Sequence, residues 1–203
     1  MANYKAPLRD IQFVRNELLE LGSFYANVEQ WSEVSDDLVN AITDEAAKFS
    51  ENILAPLNSI GDEQGCSLKD GKVTTPEGFK DAYQQFVAGG WPSLEGPVEF
   101  GGQALPKSLA LAVTEMIGSA NWAWSMYTGL SHGACHTINE HGTAEQKERY
   151  LLPAVKGEKF DALAMTEPDA GSDVRGMKCT AKRHNGDWVV NGSKHFISHA
   201  DIA

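Results

Sequence analysis

The apolar residues of this chain change their period near residue 158, and a chain that does so must build two unlike packing units. Before that point the spacing is helical. Leu38, Ile42, Ala46, Phe49, Ile53 and Leu57 recur at intervals of 4, 4, 3, 4 and 4 residues, one stripe along one helix. Ser35 stands where a cap is needed, and Asp36 and Asp37 suit the positive end of the helix dipole. After it the apolar runs are short, and Asn-Gly pairs separate them. Lys178–His184, Asp187–Val190 and Lys194–Ser198 read as strands, with Asn185-Gly186 and Asn191-Gly192 as hairpin turns.

The remaining elements follow from local signals. Leu8–Leu21 is a short helix candidate opened by Pro7. Asp70-Gly71 marks a small hairpin. Thr75 as cap and Pro76 as first residue predict a helix with Phe79, Ala82, Tyr83, Phe86 and Val87 inward, stopped by Gly89-Gly90. Residues 91–105 form a long Gly- and Pro-bearing loop, a kind that is often functional in a compact domain. Two mostly apolar stretches, from Pro106 to about Ile117 and from Asn121 to His141, suit the centre of a bundle. Thr143-x-x-Gln146 is a capping box for a helix to about Val155, closed by Gly157. The expected fold is α+β: an all-α helical bundle over residues 1–158, then the start of an antiparallel β-barrel-like middle domain over residues 159–203. A sheet this short has a poor core, so the chain is expected to be an N-terminal piece of a longer protein.

Composition narrows the function. Seventeen Lys and Arg against 28 Asp and Glu leave a formal charge of −11, which disfavours nucleic acid as a partner. Cys66, Cys135 and Cys179 are odd in number and widely spaced, which fits neither a disulfide framework nor a thiolate metal site. A cytoplasmic setting is expected. No apolar run reaches the roughly 18 residues of a membrane span, so no membrane partner is expected.

The most informative segment runs Ala162-Leu-Ala-Met-Thr-Glu-Pro-Asp-Ala-Gly-Ser-Asp-Val174. It reads as a strand ending in a rigid turn, with hydroxyls at Thr166 and Ser172 and backbone N–H groups able to form an anion-binding nest. By itself that is also an ordinary β-turn. The segment resembles the flavin-binding signature of the acyl-CoA dehydrogenases, Thr-Glu-Pro followed by Gly-Ser-Asp. Downstream, Trp188-Val-Val-Asn-Gly-Ser-Lys-His-Phe-Ile-Ser198 is similar to a second stretch of that family. Upstream, Gly142-Thr-x-x-Gln-Lys-x-x-Tyr-Leu-Leu-Pro153 resembles the helix that precedes the family's β domain. Residues 4–14, and Pro97-x-Glu-x-Gly-Gly-Gln103 in the long loop, resemble a subgroup that includes 3-(methylthio)propanoyl-CoA dehydrogenases. Residues 1–34 are then the subgroup's N-terminal extension.

The resemblance implies FAD as cofactor, an acyl-CoA thioester as substrate, an electron-transfer flavoprotein as acceptor, and a homodimer or homotetramer. Leu163 and Met165 would line the flavin ring, the Met165 backbone bonding its pyrimidine edge. Thr166 would hydrogen-bond near the electron-accepting end. Ser172 would bond a cofactor phosphate or the acyl-CoA. Phe196, where the family often has Trp, would pack on the ring, and Ser198 replaces a common Thr. The reaction implied is α,β-desaturation, with a carboxylate base from a C-terminal domain, so no catalytic residue is expected in this chain. Glu95, Glu99, Glu115 and Glu167 have nothing that places them at a substrate α-carbon, and Glu167 is expected to support the turn. The alternative within the fold is other flavin chemistry, a monooxygenase or a DNA-damage-response flavoprotein. A different class, a metal- or partner-binding module, would use His132, His136 and Glu140 at i, i+4 and i+8, although no second ligand helix accompanies them and no metal is expected. His195 and His199 flank the last strand, with His199 the one able to approach the cofactor side.

Overall fold

The computed structural model describes residues 4–200 and 202–203. Its order is α1 (Leu8–Phe13), α2 (Leu21–Ala26), α3 (Asp36–Phe49), α4 (Ala55–Gln64), β1 (Ser67–Lys69), β2 (Lys72–Thr74), α5 (Phe79–Ala88), α6 (Lys107–Ala120), α7 (Trp122–His141), α8 (Ala144–Gln146), α9 (Leu152–Val155), β3 (Thr180–His184) and β4 (Asp187–Asn191). Apart from the small β1–β2 hairpin between α4 and α5, helices come first and the β3–β4 hairpin last, as the change of period requires. The sheets are two-stranded and no closed barrel forms among the described residues.

Ser35 caps α3, its Oγ accepting the Leu38 N–H at 3.2 Å, worth about 1 kcal/mol. A π-turn at Ser50–Leu54 joins α3 to α4, so the helix runs on past Phe49. The buried face, however, is Val39, Thr43, Ala46, Ala47, Ser50 and Leu54. The expected stripe shares only Ala46 with this face: Leu38 is exposed, while Ile42, Phe49, Ile53 and Leu57 pack around the core's margin. The reason is close packing on α6, where small side chains admit the neighbouring helix and larger ones flank the seam.

The corner between α6 and α7 is locked by Asn121. Its Oδ1 accepts the Trp124 N–H at 3.0 Å and its Nδ2 donates to the Leu54 carbonyl at 3.2 Å. Trp124 is fully buried, donates Nε1–H to the Phe79 carbonyl at 3.1 Å, and meets Phe49, Phe86 and Tyr127 edge to face. The core therefore centres on α3, α5, α6 and the start of α7. The rest of α7 is not central as expected, since only Trp124 and Ser125 are buried on it and Trp122 and Met126 are exposed.

Two other boundaries differ from expectation. The helix expected over Leu8–Leu21 ends after a π-turn at Val14–Leu18, and Glu20 in the left-handed region separates it from α2. Helix α5 starts at Phe79, capped by Gly78 in the left-handed region, and not at Pro76 behind a Thr75 cap. The Phe79 N–H bonds the Pro76 carbonyl at 3.2 Å, so Pro76 begins a turn. Around α8 and α9 the capping box forms: Thr143 Oγ1 accepts the Gln146 N–H and Gln146 Oε1 accepts the Thr143 N–H.

Asp70-Gly71 and Asn185-Gly186 make the expected tight turns, all four residues at positive φ. Lys194–Ser198 is not a strand. Phe196 and His199 have φ of 57° and 65°, which breaks the extended alternation a ladder needs. Asn191-Gly192 is not a hairpin turn either. A Cβ on Gly192 would stand 2.0 Å from Cys179 Sγ, so this glycine lets the chain pass the end of β3.

Candidate functional site

The 162–174 segment is held by its own glutamate. Glu167 is buried, and its carboxylate accepts the Lys178 N–H at 2.6 Å and the Cys179 N–H at 3.0 Å. Lys194 Nζ lies 2.9 Å from the same group and donates to the Met165 carbonyl at 2.8 Å. These donors, the Lys178 N–H foremost, hold the carboxyl down at about 2. The Thr166 carbonyl accepts the His195 N–H at 3.1 Å. Glu167 thus supports the turn, as its sequence position suggested, and it also ties residues 165–166 to residues 194–195. Lys194 had no assigned role; its place in the Asn-Gly-x-Lys stretch was the available signal.

The expected site residues fall into two groups. Leu163, Met165 and Phe196 present exposed apolar side chains, Phe196 at 86%. Thr166 and Ser198 are half-buried beside them in sequence, and Ser172 is exposed in the turn after Pro168. The Lys194 ammonium and the His195 N–H bring 165–166 and 194–195 together; Ser172 stands in a separate turn.

His199 links this region to the helices. Its ring stacks on Tyr127 at 5.7 Å and 10° and lies 4.9 Å from Phe160, with Nδ1 3.3 Å from the Asp161 carbonyl. The Asp161 N–H in turn donates to Ser131 on α7 at 3.1 Å. Burial pushes the Cys135 thiol and the Tyr83 hydroxyl up to about 12 each, with the nearby Asp161 carboxyl adding to both. Burial also raises Asp161, whose Oδ2 is enclosed without a hydrogen-bond partner among the described residues. Tyr83 and Cys135 also line a cavity of about 510 Å³ walled by α5, the 91–105 loop, α6, α7 and α9. Such a volume suits a small organic ligand.

The loop on that cavity is folded, not slack. Gln103 and Leu105 N–H groups bond the Ser93 and Leu94 carbonyls at 2.8 Å each, and Ala104 N–H bonds Gly96. A Cβ on Gly102 would lie 1.9 Å from the Gly96 carbonyl oxygen, so only glycine permits this crossing. Glu95 extends from the loop and its Oε2 lies 3.1 Å from His132 Nε2. His132 therefore meets a loop carboxylate, and among the described residues no three His, Cys, Asp or Glu come together as a metal site.

Residues 37–158 match the model of the acyl-CoA dehydrogenase N-terminal domain, and residues 162–203 match that of the middle domain. The chain belongs to the acyl-CoA dehydrogenase family. It is 37% identical over 98% of its length to a 3-methylmercaptopropionyl-CoA dehydrogenase of Ruegeria pomeroyi, covering 34% of that protein. Among solved structures of this family's fold it resembles butyryl-CoA dehydrogenase from Megasphaera elsdenii at 25% identity and a TM-score of 0.69, with 81% of this chain covering 42% of that one. It also resembles the FAD complex of PigA at 26% identity and a TM-score of 0.68, over 83% of this chain and 42% of that one. The chain spans about a third of the length of the curated acyl-CoA dehydrogenases it matches. Among the described residues no helix is long and apolar enough to cross a membrane.

Proposed function

We propose that residues 1–158 and 159–203 are the N-terminal domain and the beginning of the middle domain of an FAD-dependent acyl-CoA dehydrogenase, and that its substrate is a short or medium acyl-CoA such as 3-(methylthio)propanoyl-CoA. The observation that carries this reading is the Glu167–Lys194 clamp, which sets the two signature segments side by side near a cavity of suitable size.

The residues present fit a flavin. Leu163, Met165 and Phe196 offer apolar faces that water alone does not favour, and Thr166 and Ser198 offer hydroxyl donors. The Met165 carbonyl is engaged by Lys194, so its N–H is the backbone group we assign to the pyrimidine edge. Ser172 is assigned to a phosphate or to the acyl-CoA. When bound, FAD supplies a two-electron acceptor for the desaturation. The chain's own residues hold it, exclude water and orient a thioester whose acyl chain enters the cavity. The base that removes the α-proton is assigned to a region beyond residue 203, and residues 1–203 alone are expected to turn over no thioester. Exposed Trp122 and Met126 would be covered by that region or by a second subunit, in a homodimer or homotetramer served by an electron-transfer flavoprotein.

The test is the visible spectrum of the native-length protein, followed by anaerobic addition of acyl-CoAs. Oxidised flavin bands that bleach with one thioester support the reading and name the acyl class. A protein that takes up no FAD, or whose flavin no thioester bleaches, sinks it.

A further inference from the structure

Glu95 is the one Asp or Glu among the described residues lining the cavity. It comes from the folded loop, its side chain is only 16% exposed, and its Oε2 meets His132 Nε2 at 3.1 Å. Most of the lining is apolar, with Phe86 from α5, Leu94 from the loop, and Val113 and Ile117 from α6, although Thr114, Ser131, His136 and Asn139 add polar groups. A carboxylate in such a wall is poorly screened, so its field acts on whatever shares the space. Lys107 also borders the cavity, but it is exposed at the start of α6, where solvent screens it.

The geometry points to Glu95, partnered by His132, as the residue that selects the acyl group by charge. Thioesters whose chain ends in a neutral group are accepted, and those ending in a carboxylate are refused. This rests on the reading above, that the cavity receives the acyl chain. Two carboxylates in one confined space repel, and the imidazole that faces Glu95, that of His132, is already engaged by it. A neutral chain end meets the apolar wall and keeps the pair intact. Selection thus comes from a cost imposed on the wrong substrate, with no contact required by the right one.

The experiment compares pentanoyl-CoA with glutaryl-CoA, equal in chain length and different in terminal charge, on the native-length enzyme. The wild type should favour pentanoyl-CoA in kcat/KM. In Glu95→Gln, which keeps the size of the side chain, that preference should fall by about tenfold or more, most of it in KM. Calorimetric Kd values for the two enoyl-CoA products should show the same change. His132→Leu leaves the carboxylate in place, so the preference should persist. A preference equal in wild type and Glu95→Gln overturns the inference, as does one lost only in His132→Leu or a wild type that favours glutaryl-CoA. If neither thioester is turned over nor bleaches the flavin, the dehydrogenase reading itself has failed, which is a separate outcome.

Discussion

Lys194 Nζ lies 2.9 Å from Glu167 Oε1 and 2.8 Å from the Met165 carbonyl, so one ammonium joins segments 27 residues apart. The lysine is three-quarters buried and the glutamate almost wholly so. Charge-assisted bonds in that setting fix geometry as much as they add stability. The segments they fix contain Met165, Thr166 and Phe196, the residues proposed to meet the flavin.

Replacing Lys194 by Met, or Glu167 by Gln, should therefore weaken FAD binding in the native-length protein by about tenfold. The far-ultraviolet helical signal should stay unchanged, because no helix depends on the pair. Flavin fluorescence titration measures the affinity. Wild-type affinity in both variants would show that the clamp does not shape the site.

The same carboxylate predicts an acid limb of stability. Its value is lowered from 4.5 to about 2 by the Lys178 N–H and its other donors. Above the ordinary carboxylate value its contribution is fully present. As pH falls from 4.5 towards 2, the unfolded chain takes up a proton that the folded chain refuses, and stability declines. The thermal midpoint of wild type should drop more steeply across that window than that of Glu167→Gln.

At the alkaline end the sign reverses. Cys135 is raised by burial from 9.0 to about 12, so its contribution is complete below 9.0 and is lost as pH rises towards 12. Cys135→Ala should flatten the alkaline fall of the thermal midpoint. The native thiol should react slowly with alkylating reagents at neutral pH, because the thiolate is the reactive form. Rapid alkylation of the folded protein at Cys135 would contradict the burial that drives the shift.

Trp124 fills the centre of the helical core and also satisfies the Phe79 carbonyl. Trp124→Ala should cost about 3–5 kcal/mol in denaturant unfolding. Trp124→Phe should cost less, about 1–3 kcal/mol, mostly for the carbonyl left unpaired. Equal losses in the two would mean that the hydrogen bond, and not the ring volume, governs the site.

Two glycines should respond in opposite directions. Gly102→Ala drives a methyl into the Gly96 carbonyl and should unfold the 91–105 loop. Its readout is protease sensitivity at that loop together with weakened thioester binding. Gly133 lies within α7 with open space at its Cβ position, so Gly133→Ala should stabilise the helix by about 0.5–1 kcal/mol.

Local chemistry was legible in the linear chain. The Ser35 cap, the Thr143–Gln146 box and the turns at Asp70-Gly71 and Asn185-Gly186 all rest on residues within four positions of one another. The family's signature segments were legible by motif, and the supporting role of Glu167 by its place in a rigid turn. Lys194 was not, because its partners lie 27 and 29 residues away. Neither was the Glu95–His132 pair, which joins a loop to a helix 37 residues away. The strand expected at Lys194–Ser198 failed for a related reason: alternation of side chains makes a strand only where another strand supplies the ladder.

The order of residues determined on its own where helices give way to hairpins, where several elements start and turn, and which segments carry the family's signature. Those depend on period, caps and backbone permissions, which act over one or two turns of chain. Tertiary structure alone decided which face of α3 is buried, that Lys194 closes the signature segments, that His199 stacks on Tyr127, and that Glu95 stands in the cavity wall. Each of these is settled by close packing between elements distant in sequence, where volume and the need to partner buried charge choose among faces that local pattern leaves nearly equal.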